Sequence, residues 1–78
     1  MKIQIQISHV SDQSWGPSRF GPCLVTTSSM DAADQLAPFV AQSDTPKVRE
    51  AWEQAAASGE QAKIDLGCGL TLMARPHR

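Results

Sequence analysis

Residues Thr45 to Gly59 carry the clearest pattern in the chain. Val48, Ala51, Trp52 and Ala55 recur at i, i+3, i+4 and i+7, which lays one apolar stripe along a helix. Lys47, Arg49, Glu50, Glu53 and Gln54 fill the other faces. Thr45 reads as the N-cap, Pro46 suits the first turn, and Gly59 falls where a left-handed residue ends a helix. The stripe directs Trp52 toward the core. At the other extreme of period, Lys2 to Ser8 alternates strictly, with Ile3, Ile5 and Ile7 on one side and Lys2, Gln4, Gln6 and Ser8 on the other. That predicts a half-buried strand whose polar face is wet, and hence a sheet covered on one side only.

The remaining elements follow from weaker signals. His9 to Pro22 is crowded with serine, glycine and proline and predicts a long loop. Cys23 to Ser28 is rich in β-formers and predicts a second strand, paired antiparallel with the first as the simplest arrangement. Ser28 or Ser29 caps a helical segment starting near Met30, with Asp31 in its first turn. Ala33, Leu36, Ala37 and Val40 keep helical spacing until Pro38 kinks or ends it, so residues 30–58 form two helices or one that bends. Ala62, Ile64 and Leu66 mirror Leu70, Leu72 and Ala74 about Gly67-Cys68-Gly69. A single strand over these residues would run about 40 Å, too long for so small a domain. A three-residue hairpin centred on Cys68 instead opposes Leu66 to Leu70, Ile64 to Leu72 and Ala62 to Ala74. The expected architecture is therefore α+β: one domain over residues 1–78, β-β-α(α)-β-β. It has a four-stranded, mostly antiparallel sheet and one or two helices on one face.

Charge refines this picture. The 78 residues carry a net charge of −1, which argues against a wholesale DNA mimic and against a simple basic nucleic-acid binder. The distribution is uneven: residues 31–60 hold six acids against Lys47 and Arg49, a balance of −4, while the rest of the chain stands at +3. An acidic helix side and a basic sheet side are expected. Met1-Lys2 leads straight into an alternating strand, so no signal peptide is expected, and no run approaches membrane-spanning length. Localisation is expected to be cytoplasmic, with Cys23 and Cys68 reduced.

Reactive chemistry finds little footing. Cys23, Cys68, His9 and His77 are the soft ligands, and none forms the close pair that zinc sites use, so no metal or cofactor is expected. His9 could approach Cys23 if the first two strands pair, but no third residue is placed to orient the histidine. Cys68 sits between glycines in a turn, and the carboxylate pairs Asp31/Asp34 and Glu50/Glu53 lie on helices where solvated faces are the rule. Gly67-Cys68-Gly69 lacks the following helix that a phosphate site requires. The expectation is a non-enzyme with no catalytic residue.

Binding is the better expectation. The stretch Ser14 to Pro22 sets Trp15, Arg19 and Phe20 among glycines and prolines, and Trp and Arg are frequent interface anchors. The competing arrangement is that Trp15 or Phe20 folds back over the small core. Asp31, Asp34, Glu50 and Glu53 offer an acidic helical face suited to a basic groove that otherwise holds nucleic acid. Base stacking on Trp15 and Phe20 is disfavoured by the weak basicity, so autonomous nucleic-acid binding is not expected.

In length, in its sheet-plus-helix plan and in its lack of reactive chemistry, the chain resembles the small phage-encoded anti-CRISPR proteins. That resemblance implies a cytoplasmic inhibitor that docks on a CRISPR effector complex or nuclease and blocks nucleic-acid binding or cleavage. The alternative is a small structural or regulatory subunit that self-associates through its sheet edges, so a monomer or a homodimer is expected.

Overall fold

A computed structural model of the chain describes residues 1–77. Strands β1 (Lys2–His9) and β2 (Leu24–Thr26) precede helices α1 (Ser29–Leu36) and α2 (Thr45–Ser58), and strands β3 (Ala62–Gly67) and β4 (Leu70–His77) close the chain. The four strands form one sheet in the order β2-β1-β4-β3, with every neighbouring pair antiparallel. The two helices cover one face. This is the α+β, β-β-α-α-β-β architecture that the sequence predicts, with the first and last strands in register at its centre.

Period-two alternation builds the core. Ile3, Ile5 and Ile7 lie opposite Pro76, Ala74 and Leu72, and all three isoleucines are fully buried beneath the helices. Full burial of each stabilises the fold by about 1.5–3 kcal/mol. From above, α1 contributes Ala32, Ala33 and Leu36, and α2 contributes Val48, Ala51 and Ala55. Small residues on α2 let the helix sit close to the sheet. Trp52 lies at the margin rather than inside: it is half-buried, and its Nε1–H donates to Thr26 Oγ1 at 2.9 Å. The stripe aims it correctly, but its polar edge needs a partner, and β2 supplies one.

The helix ends show where local chemistry prevails. Ser28 caps α1, its Oγ accepting from the Asp31 N–H at 3.0 Å. α1 stops at Leu36, and Pro38 sits in a short 3-10 turn over Ala37–Phe39, which separates the two helices. Gly59 ends α2 with φ 70°, as its position predicts. Thr45 is not the cap, however: it already has helical torsions, and the boundary falls at Asp44. A 3-10 turn over Gln42–Asp44 delivers the chain to α2 already coiled, so no extended capping geometry arises. The Asp44 carboxylate instead pairs with Lys47 at 3.2 Å.

Two further expectations need correcting. The β3–β4 hairpin pairs Ala62 with Ala74 and Ile64 with Leu72 as predicted, but Gly67, not Leu66, meets Leu70. The loop has two residues, Cys68 and Gly69, both at positive φ, and a bulge after Asp65 absorbs the extra residue. A two-residue turn of this hand matches strand twist better than a three-residue loop. Asp65 Oδ1 holds the bulge by accepting from the Gly67 N–H at 2.9 Å.

A larger difference lies on the side of the sheet away from the helices. The polar face of β1 is wet only at its start: Lys2 is exposed and Gln4 half-buried, but Gln6 and Ser8 are 1% and 2% exposed, and Met73 beside them is fully buried. The loop after β1 folds across this side of the sheet. Gln6 fastens it, donating from Nε2 to Ser14 O at 2.8 Å and to Ser8 Oγ at 2.6 Å while Oε1 accepts from the Gly16 N–H at 2.8 Å. With the amide satisfied on both ends, burial of the polar residue carries little penalty.

Candidate partner-binding surfaces

The loop from Val10 to Pro22 is a built structure. At its start, Asp12 accepts from the Ser14 hydroxyl at 2.7 Å and from the Ser14 N–H at 3.3 Å. The Ser14 hydroxyl, followed by its N–H, holds the Asp12 carboxyl below the usual carboxylate range. Trp15 lies flat under Arg75, whose guanidinium carbon stands 4.1 Å from the ring centroid. Arg75 Nε–H also donates to Gln4 Oε1 at 2.8 Å, so Trp15, Arg75 and Gln4 form one stack on the loop-covered face of the sheet. Lys63 reaches Gln13 from the far edge.

Further along, Ser18 and Gly21 exchange two backbone hydrogen bonds of 3.2 Å, which makes a tight turn with Arg19 and Phe20 at its tip. Phe20 is half-buried against the core. Its ring stacks on His9 with centroids 6.1 Å apart, and Arg19 lies over it at 5.0 Å. Gly21 keeps this turn close to the helical layer: a Cβ there would stand 3.2 Å from the Phe39 ring. The loop residues are therefore split. The faces of Trp15 and Phe20 are engaged internally, while Arg19 remains exposed.

Histidine and cysteine do not converge. In the β1–β2 register Ile5 lies opposite Leu24, so Cys23 comes level with Gln6 and His9 meets Phe20 instead. Cys23 Sγ accepts from Gln4 Nε2 at 3.1 Å. His9 Nδ1 accepts from the Ser11 N–H at 3.1 Å, which leaves Nε2 as its protonated nitrogen in the neutral ring. Both cysteines are free thiols, and Cys68 is exposed at the hairpin tip. No group of three or more metal-ligating side chains gathers among the described residues.

The helical layer presents the acidic face. Asp31 and Asp34 stand three residues apart on α1, and Glu50 and Glu53 three apart on α2; all four are exposed. Their partners are neutral: Glu50 accepts from Gln54 Nε2 at 3.3 Å and Glu53 from Ser29 Oγ at 3.4 Å. The Ser29 contact ties the start of α1 to the second half of α2, so Glu53 bridges the two helices. Among the described residues the one ion pair is Lys47 with Asp44, which lies at the N-terminal end of α2. An open groove along α2, lined by Pro46, Arg49, Glu50, Glu53, Gln54 and Ala57, runs through this face.

Sequence periodicity located the acidic face, because helical phase fixes which side a residue takes. It did not locate Arg75 or Gln4, whose roles depend on a loop crossing the sheet. Among the described residues, no helix is long and apolar enough to cross a membrane. Compared with known proteins, the chain matches no family model, and no curated protein or solved structure gives a match.

Proposed function

We propose that this protein is a non-catalytic inhibitor that binds a larger nucleic-acid enzyme, of the kind exemplified by a CRISPR effector complex or nuclease, through its acidic helical face. The carrying observation is that Asp31, Asp34, Glu50 and Glu53 are exposed on one two-helix layer with no cation paired to them among the described residues. Unneutralised carboxylates on a rigid layer complement a basic groove, speed encounter and deny that groove to nucleic acid. Arg19, exposed at its turn tip, is the loop's contact residue, and Trp15 and Phe20 hold that turn in position.

Competition binding tests this reading. The chain is titrated against a panel of CRISPR effector complexes with and without their nucleic-acid substrates. Binding abolished by substrate, and lost in the variant Asp31→Asn/Asp34→Asn/Glu50→Gln/Glu53→Gln, is the expected result. Undiminished binding by that variant overturns the assignment of the surface.

A further inference from the structure

The sheet has two edges, and they differ. β2 offers three residues, whereas β3 offers Ala62–Gly67, and among the described residues nothing pairs with β3 on the side away from β4. Ala62, Ile64 and Leu66 face the helices, with Ala62 buried and Ile64 and Leu66 half-buried against the core at the open edge. Lys63 and Asp65 alternate with them on the opposite face, and both are exposed; Lys63 reaches Gln13 and one Asp65 oxygen holds the Gly67 N–H, which leaves the second Asp65 oxygen and the remaining ammonium donors for a strand alongside. A lysine on an edge strand ordinarily deters pairing with another strand.

We infer that β3 is a self-recognition edge, and that its occupant is β3 of a second copy of this chain, antiparallel, about a two-fold axis at Ile64. A symmetric interface requires a strand complementary to its own reverse. Residues 62–66 meet that requirement. With Ile64 opposite Ile64, Lys63 of each copy lies across from Asp65 of the other, and Ala62 lies across from Leu66. Every apolar residue stays on the helix face and both charge pairs are opposite in sign. Sliding the axis by one residue sets Lys63 against Lys63 or Asp65 against Asp65, which cross-strand repulsion disfavours. The lysine that repels other strands thus selects this one.

The bulge between Asp65 and Gly67 limits the paired segment to five residues on each strand. The interface is accordingly small, and the dimer is a concentration-dependent one. Its axis runs perpendicular to the sheet, so both helical layers point the same way. The inference stands on the β3 edge alone and holds whether or not the acidic face binds a nucleic-acid enzyme.

Sedimentation of the full chain from about 10 μM to about 1 mM tests it. The expected weight-average mass rises from the 8.4 kDa chain mass toward twice that value. Lys63→Asp alone and Asp65→Lys alone each weaken self-association by about tenfold, since two attractive cross-strand pairs become repulsive. An equimolar mixture of the two variants regains the wild-type dimer, because a strand carrying two acids then meets a strand carrying two lysines. Circular dichroism checks that both variants stay folded. Wild-type protein that keeps the single-chain mass throughout overturns the inference. So do single variants that associate as the wild type does, or a mixture that associates no better than its components.

Discussion

Replacing Gln6 with alanine tests whether the loop over the sheet is part of the folded structure or merely rests on it. Gln6 is 1% exposed, and its amide makes two bonds from β1 to the loop backbone, to Ser14 O and from the Gly16 N–H, each 2.8 Å long. A typical intramolecular hydrogen bond is worth about 1 kcal/mol net, and a buried group left without its partner adds a desolvation cost of about 1–3 kcal/mol. Three lost bonds, the one to Ser8 Oγ included, with the freed Gly16 N–H partly rehydrated, put Gln6→Ala at about 3 kcal/mol. Chains of this size have a total stability on the order of 4–12 kcal/mol, so the loss is a large fraction of it. Thermal unfolding converts it to a fall in Tm of about 15 °C. Urea unfolding of wild type, Gln6→Ala and the control Gln13→Ala measures the free energies directly. Gln13 lies in the same loop but bonds only at the exposed edge, so its variant stays within about 0.5 kcal/mol of wild type. A Gln6→Ala protein equally close to wild type would refute the account of the covered face.

Other outcomes follow from the same geometry. Arg75→Ala removes the guanidinium from the Trp15 ring and the bond to Gln4, costing about 1–2 kcal/mol and shifting Trp15 fluorescence to longer wavelength. Gly59→Ala places a side chain at φ 70° with open space around it, so the cost is the left-handed backbone alone, about 1 kcal/mol by urea unfolding. Gly69→Ala costs more than Gly59→Ala in the same assay, because its Cβ would also stand 3.1 Å from His9 Nε2. Asp12 has a folded-state pKa lowered from 3.8, chiefly by the Ser14 hydroxyl. Its stabilising contribution is therefore complete above the unfolded value and is lost as pH falls through the lower folded one. Carboxyl titration by NMR reads this as an Asp12 midpoint below 3.8, moved upward in Ser14→Ala.

Residues close in sequence announced most of the architecture. Ile3, Ile5 and Ile7 specify a buried face because strand period is a local property, and the mirror about Cys68 specifies a hairpin for the same reason. Pro38 interrupts a helix by its missing N–H and its ring, and Gly59 ends one by its left-handed torsion. What escaped is what depends on distant partners. Gln4, Gln6 and Ser8 look like a solvated face, since nothing within several residues tells a wet glutamine from one bonded to a backbone ten residues on. A hint was present in composition: the glycine and serine in Ser14-Trp15-Gly16 expose backbone groups that need partners, and Gln6 has a free amide to give them. Trp15 likewise reads as an outward anchor until Arg75, sixty residues later, is brought over its ring. The acidic face was legible, because Asp31, Asp34, Glu50 and Glu53 take their positions from helical phase alone.

The covered face has a consequence for how the surfaces divide labour. With the loop lying over Gln6, Ser8 and Met73 on one side of the sheet and the helices over the other, the middle of neither broad face is open, and the two proposals use the helical exterior and the β3 edge. Those two surfaces are compatible. An axis at Ile64 perpendicular to the sheet sets two helical layers side by side, and Asp31, Asp34, Glu50 and Glu53 of both copies then face one direction. Acidic residues exceed basic ones by four over residues 31–60 of each copy, so pairing doubles the negative charge offered to one target without adding a contact residue. Two linked sites also raise the effective concentration of the second once the first has engaged. If the two proposals hold together, self-association and charge-driven docking reinforce each other, and weakening the Lys63–Asp65 pairing lowers inhibition of an extended basic groove more than inhibition of a compact one.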